Sequence, residues 1–374
     1  MKILLLAGEE SGLIYANELK SLLKGVECRG YADYGFETHD LAVMGFAAVL
    51  SRLPFFLRVK RTMEKAIDEW RPDAVVTIDY PGMNLKLAAY AKTRGVKAIH
   101  IVCPQVWAWK SGRIPKIEAS LDRLLCFFPF EPKLFKAGFA EFVGHPLVER
   151  FPSGLRRVPA SGKAKTLALL PGSRIGEISK CLPTMLEAAA KLKDVVAVVP
   201  AANEGAKKAI VQIVARQAKI AVKVQDGGAR ELLLRADAAV VASGTATLEA
   251  ALARCPTVLV YRVSALLAWF ARRVIKGVKH IGLINVVWEK SMRPADPAKP
   301  TLAEIRDMRS PMPELLQEDF TADSVAAILE NWLADESARR EAVARLDRAC
   351  ALLGSSGGAM NRIAEVILAA ARGK

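Results

Sequence analysis

Apolar residues in this chain come in short unbroken runs, and between the runs they recur at helical spacing. "KILLLAG" (residues 2–8) is such a run closed by glycine, which predicts a strand buried on both faces, as in a parallel sheet. "YANELKSLLKG" (15–25) then has the helical period and a glycine stop. "RPDAVVTIDYPG" (71–82) and "VKAIHIVCP" (96–104) repeat the strand-then-loop pattern, with "NLKLAAYAKTRG" (84–95) as the helix between them. "RFPSGLRRVPASGKAK" (150–165), rich in proline, glycine and basic residues, reads as a linker. A second series follows it, with strands at "TLALLPGS" (166–173), "VVAVVPAAN" (195–203), "IAVKVQDG" (220–227), "AAVVASG" (238–244) and "PTVLVYR" (256–262). Helical patterns separate most of these, and a helical tail (337–373) closes the chain. Strand and helix alternating twice over predict two Rossmann-like parallel-sheet α/β domains, with ligands at the carboxyl ends of the strands. The expected bounds are 1–155, 156–335 and a tail at 336–374 that packs back on the N-terminal domain.

Composition narrows the partners. At 374 residues the chain is long enough for two domains, and 52% hydrophobic with 25% charged is the balance of a folded protein. The formal charge of +15 points to an anionic partner: nucleic acid, a phosphorylated small molecule or an acidic membrane surface. No RNP string, zinc finger or helix-turn-helix pattern accompanies that charge, so nucleic acid is not expected. The six cysteines are scattered with no CxxC pair, which fits reduced thiols rather than zinc. Acidic residues in "MKILLLAGEESG" end its apolar run too early for a signal peptide, and no run of 18 apolar residues predicts a membrane span.

The second half carries two related turns. "LALLPGSRIGEI" ends a strand in Gly172-Ser173 and starts a helix near Arg174. "VVASGTATLEAAL" does the same at Ser243-Gly244-Thr245, with Glu249 one turn into the helix. Exposed N–H groups at such turns suit anionic oxygens, and a carboxylate one turn along can accept from vicinal hydroxyls. Each turn alone reads equally as an ordinary loop; two on one sheet favour a nucleotide diphosphate. Neither is a P-loop or a GxGxxG fingerprint. In the first half, Asp79 directly follows a strand, and reads either as a general base or as an Asx-turn residue. Glu9, Ser11 and Gly12 lie at the end of the first strand, where a plain loop role is equally open. No D-x-D triplet and no His/Asp/Glu cluster has metal spacing, so neither metal nor cofactor is expected; basic side chains and helix N-termini would meet a leaving diphosphate. In "HIVCPQVWAWKSGRIPKI" (100–117), Trp107 and Trp109 precede Lys110 and Arg113; the rings form either the wall of an acceptor cleft, with Lys110 and Arg113 toward an anionic head group, or core. "LSRLPFFLRVKR" (50–61) and "SALLAWFARRVIKGVKH" (264–280) mix bulky apolar residues with cations, as interfacial segments on anionic bilayers do and as core-facing helices also do.

In combination, "LAVMGFAAVL", "IDYPGMN", "PQVWAWKSGRIPKI", "FPFEP", "FVGHPL", "LLPGSRIGEI", "ASGTATLEAALARCPTVLVYR" and "PELLQEDFT" resemble bacterial lipid-A-disaccharide synthase across most of the chain. The resemblance implies the two-domain B-type glycosyltransferase fold around a central cleft, acceptor and membrane side first, UDP-sugar domain second. It implies inverting transfer of 2,3-diacylglucosamine from UDP-2,3-diacylglucosamine to the 6-hydroxyl of 2,3-diacylglucosamine 1-phosphate. The setting it implies is the cytoplasmic face of the inner membrane, on anionic lipids, as a homodimer that exchanges C-terminal elements. By the same resemblance Asp79 is the base, Arg174 is needed for activity, and Glu249 meets the ribose. Asn203 and Asn285 fall near the donor, and Glu9, Ser11 and Gly12 near the acceptor. The chain departs from the family pattern at Leu13, at Gly82 and in the long stretch 286–310. Three rivals stay open: another enzyme of the fold class (a 2-epimerase or a transferase with a soluble acceptor), a nucleic-acid binder suggested by charge alone, and, prompted by those departures, a homologue that binds without turnover.

Overall fold

The structure is a computed structural model that describes residues 1–41, 52–151, 164–264, 269, 273, 278–292, 309–354 and 358–373. Most of the expected linker, of the 264–280 segment and of the 286–310 stretch lies outside these residues, as does nearly all of "LAVMGFAAVL". The chain divides into two compact units, Met1–Glu149 with Gly354–Lys374, and Arg150–Leu353.

The first unit is built on a six-stranded parallel sheet in the order β2-β1-β3-β4-β5-β6. Its strands are β1 (Lys2–Ala7), β2 (Glu27–Arg29), β3 (Ala74–Ile78), β4 (Lys97–Ile101), β5 (Arg123–Cys126) and β6 (Ala140–Phe142). The order reverses between β1 and β3, so the loops after these two strands flank the switch point. Alternate side chains of β1 enter opposite layers. Ile3 and Leu5 pack with Leu19 of α1 (Glu10–Leu22) and with Met360, Ile363 and Ile367 of the C-terminal helix Ala359–Ala371. Leu4 and Leu6 pack with Phe56, Met63, Ile67 and Trp70 of α2 (Leu53–Trp70) and with Leu87 of α3 (Pro81–Thr93). Helix α4 (Ile114–Ser120) lies against α3.

The stretch 50–61, open to an interfacial and to a core-facing reading, is mostly helix α2, whose apolar stripe is core while Leu53 and Leu57 stay exposed at 47% and 45%. Two helix starts differ from the expected ones. Helix α1 starts at Glu10 rather than near Tyr15, so Ser11 and Gly12 form its first turn and not a loop. Helix α3 starts at Pro81, whose fixed φ suits the first helical position.

The second unit has strands β7 (Lys165–Leu170), β8 (Val195–Ala201), β9 (Val222–Asp226), β10 (Ala238–Ala242), β11 (Thr257–Tyr261) and β12 (Glu314–Leu316). They form a parallel sheet in the order β12-β11-β10-β7-β8-β9, which reverses between β7 and β10. Around it lie α5 (Ile175–Ala189), α6 (Glu204–Gln217), α7 (Ala229–Arg235), α8 (Thr245–Leu252), α9 (Leu283–Ser291), α10 (Ala322–Ala334) and α11 (Glu336–Ala351). The tail expected at 336–374 is therefore divided: α11 packs on α8 and α9, tied by an Arg254–Asp347 ion pair of 2.7 Å, while the C-terminal helix belongs to the first unit. Among the described residues no helix is long and apolar enough to cross a membrane.

Candidate functional site

At the switch point of the second unit lies a cavity of about 360 Å³, bounded by the carboxyl ends of β7, β8 and β10. Gly172, with φ +103°, carries the chain out of β7; a Cβ there would sit 2.5 Å from the Glu177 Oε2. No residue with a side chain fits that turn without displacing Glu177. Gly244, with φ +151°, makes the matching turn after β10 in a conformation open to glycine. The helices that follow, α5 and α8, have Arg174 and Gly244 at their N-caps, and neither supplies a capping side chain. Their first N–H groups, and the positive ends of both helix dipoles, thus meet at one cavity, an arrangement suited to a diphosphate.

The side chains complete that chemistry. Arg174 bonds Glu177 through Nη1 to Oε1 at 2.8 Å and stays 62% exposed, so its guanidinium is accessible at the rim. Ser243 and Thr245 line the same space, as does half-buried Glu249. Burial raises the Glu249 carboxyl above its ordinary value, with Arg230 and Arg150 partly opposing. Pro200, Ala201, Ala202, Gly227 and Ala229 form much of the remaining wall. Their small apolar surfaces leave room for a flat ring, and nothing in their residue types announced this in the sequence.

Asp79 stands at the switch point of the first unit. Asp79 and Tyr80 both adopt left-handed conformations, φ 50° and 51°, which non-glycine residues rarely hold. Hydrogen bonds fix them there. The Asp79 N–H donates to the Ile101 carbonyl at 2.9 Å, and the Tyr80 N–H to Asp79 Oδ1 at 2.8 Å. Fully buried Asn84 donates from Nδ2 to the carbonyls of Leu6, Ile78 and Asp79 at 3.2, 3.1 and 2.8 Å, and accepts from the Tyr31 hydroxyl at 2.7 Å. Asn84 thus ties β1 to the Asp79 turn, a role its residue type did not announce in the sequence. Burial raises the Asp79 carboxyl, only partly offset by the Tyr80 N–H, and among the described residues no cation pairs with it. A carboxylate so placed is more basic than a solvated one.

Glu9 is the N-cap residue of α1 and, after burial, the second cause of a raised Tyr80 hydroxyl, which places Glu9 electrostatically close to the Asp79 turn. Ser11 is exposed on the same first turn. Gly12 is buried, its Cβ position 3.4 Å from Ala7 Cβ and from the Ile78 carbonyl, so its role is close helix–sheet packing.

The two tryptophans differ. Trp107 is half-buried, donates from Nε1 to Glu131 Oε1 at 3.1 Å and meets the Phe130 ring edge-on, so it is part of the packing. Trp109 is 39% exposed with the Lys110 ammonium 4.5 Å above its ring. Arg113 lines one groove together with Pro81 and Gly82, the residues that follow the Asp79 turn. The structure also gathers Cys103, Cys126 and Glu131, buried, with ligand-type atoms all within 4.8 Å; strand pairing of β4 and β5 brings them together, which sequence spacing could not reveal. Glu131 already accepts from Trp107 and from the Phe128 N–H at 3.1 Å.

Asn203 and Asn285 do not line the cavity. Asn203 caps α6, accepting from the Ala206 N–H at 2.9 Å. Asn285 is fully buried; it accepts from the Met312 N–H and donates to the Met312 carbonyl and Glu314, clamping α9 to β12.

A family model described as lipid-A-disaccharide synthetase matches residues 3–298. The chain is 36% identical to the lipid-A-disaccharide synthase of Anaeromyxobacter sp. (strain K), over 99% of this chain and 98% of that one. It is 35% identical to that of Myxococcus xanthus, over 98% and 97%. Among solved structures it resembles S. aureus MnaA with UDP (TM-score 0.60, 12% identity, 98% and 95% covered) and Acinetobacter baumannii MurG (0.57, 12%, 98% and 99%). At those identities the likeness is one of fold, that of B-type glycosyltransferases and nucleotide-sugar epimerases.

Proposed function

This chain belongs to the lipid-A-disaccharide synthase family, glycosyltransferases of lipid A disaccharide synthesis, and from that premise we propose its substrates and the part each residue plays. The donor is UDP-2,3-diacylglucosamine and the acceptor is the 6-hydroxyl of 2,3-diacylglucosamine 1-phosphate. The observation that carries this is the cavity of the second unit, where two uncapped helix N-termini, Arg174 and Glu249 surround a space fit for a nucleotide diphosphate. There Glu249 accepts from ribose hydroxyls, and the N–H groups of α5 and α8 hold the diphosphate.

The reaction is a single inverting displacement. The Asp79 carboxylate takes the proton of the acceptor hydroxyl while its oxygen attacks the anomeric carbon of the donor. The bond from that carbon to the diphosphate breaks, and UDP leaves with the charge of Arg174 and two helix dipoles beside it. Glu9 and the exposed Trp109–Lys110 pair face the acceptor. Exposed Leu53 and Leu57 support a working position at the cytoplasmic surface of the inner membrane, against anionic lipids.

UDP release from purified protein, given the donor with and without the acceptor in detergent micelles, tests this reading. Release should require acceptor and yield disaccharide. Asp79→Asn should lower the rate by about 10²–10⁴-fold. The sign on stability is opposite. Burial raises the folded pKa of Asp79, so its contribution is fully present below the unfolded pKa and is lost as pH rises through the folded one. An uncharged Asn avoids that loss, so the variant should melt at or above the wild-type temperature at pH 7. Acceptor-independent release, or an Asp79→Asn enzyme of undiminished rate, would overturn the assignment.

A further inference from the structure

We infer that a groove between α3 and α4 in the first unit is a phosphate-binding site, and that it takes the phosphate of an anionic amphiphile whose hydroxyl lies at Asp79. This rests on the reading of Asp79 as the base. The groove encloses about 280 Å³. Its floor is apolar, formed by Leu85 and Ile117, 7% and 2% exposed. Lys86, Arg113 and Lys116 stand around it, and no acidic residue lines it.

Some other cations of this unit are balanced by nearby acids. Lys60, Lys92 and Arg94 each pair with a carboxylate, on Glu64, Asp122 and Asp68. Among the described residues, the side chains of Lys86, Arg113 and Lys116 have no carboxylate partner. Three like charges gathered at one cavity repel one another, and a dianion seated among them removes that repulsion. The uncapped start of α3 adds the positive end of its dipole at the Gly82 end of the groove.

Position ties the groove to the reaction. Gly82 follows Asp79 by three residues, so their Cα atoms are at most about 11 Å apart. A phosphorylated sugar with its reacting hydroxyl at one end and its phosphate at the other can bridge that span. The apolar floor accepts the adjoining hydrocarbon, which a site for inorganic phosphate alone would not need.

Two variants change the groove without touching the core. Lys86→Ala with Lys116→Ala removes two exposed cations. Gly82→Asp adds a carboxylate at a position whose Cβ meets nothing within 4 Å. The probes are 2,3-diacylglucosamine 1-phosphate and its dephosphorylated counterpart in neutral micelles, and vesicles with and without phosphatidylglycerol. Inorganic phosphate serves as competitor, and UDP affinity is the control for folding. Wild type should favour the phosphorylated amphiphile by about tenfold or more, a preference phosphate reduces and both variants lose with UDP affinity unchanged. If the variants lose binding to anionic vesicles instead, the groove still binds phosphate and its source is the bilayer headgroup. Undiminished preference in both variants, or none in wild type for any phosphate-bearing probe, overturns the inference. Because binding is read without turnover, a chain that binds phosphate here yet forms no disaccharide would sink the reaction assignment and leave the groove standing.

Discussion

Glu131 sits at 2% exposure between the Trp107 indole and the Phe128 amide, with two cysteine thiols beside it. Burial pushes its carboxyl from 4.5 up to about 8, although the Phe128 N–H and the Trp107 indole favour the charged form. The folded state therefore keeps a proton that the unfolded chain releases near 4.5. Stability from this group is fully present below that value and is lost as pH rises through about 8. Gln imitates the protonated acid, so Glu131→Gln should flatten the fall of melting temperature across that window and be the more stable protein at its upper end. A variant with the wild-type slope would show that the proton is not held there. Single residues were unevenly legible in the sequence. The Gly172 and Gly244 turns stood out because glycine closes an apolar strand just before a helix. Asn84, Asn203 and Asn285 all bond backbone groups, and only the folded chain separates the one that locks the Asp79 turn from two that brace helices elsewhere.

Elements were read well where burial made them monotonous. The central strands β1, β3, β7 and β10 are continuous apolar runs because helices cover both faces. Strands β2, β6 and β12 have three residues each, too few to show a period, and they escaped the reading. Helix α2 was ambiguous because its stripe of Phe56, Met63 and Trp70 is interrupted by Arg58 and Arg61, as an interfacial helix would be. The turn between β1 and α1 offers a direct test of element packing. A Cβ on Gly8 would lie 2.4 Å from the Tyr80 ring, so Gly8→Ala must push Tyr80, and with it the Asp79 turn, off its present path. We expect a loss of about 1–3 kcal/mol in urea unfolding, with activity falling more than stability accounts for. Tyr80→Ala in the same chain should recover most of the stability. An additive double variant would mean the ring and the glycine do not meet.

At the scale of the whole molecule, the first unit is discontinuous in sequence. Its core includes Met360, Ile363 and Ile367 from the last helix, whose Ala359 N–H is held by Glu149 Oε1 at 2.6 Å. Burying those three side chains contributes about 1.5–3 kcal/mol each, a sum comparable with the net stability of an ordinary domain. Removing residues 354–374 should therefore abolish cooperative unfolding of the first unit while the second still binds UDP. A truncated protein with both transitions intact would refute this. The two-unit plan was legible because strand–helix alternation restarts; the return of the last helix was not, since an amphipathic helix does not name the sheet it covers. This connectivity also sets an order of birth. A chain emerging from the ribosome completes Arg150–Leu353 first, while the opening sheet, already synthesised, waits with one apolar layer only partly covered, by α1, until the C-terminal helix is released. The half that is made first is finished last, and its exposed strands are a natural client for a chaperone throughout that interval.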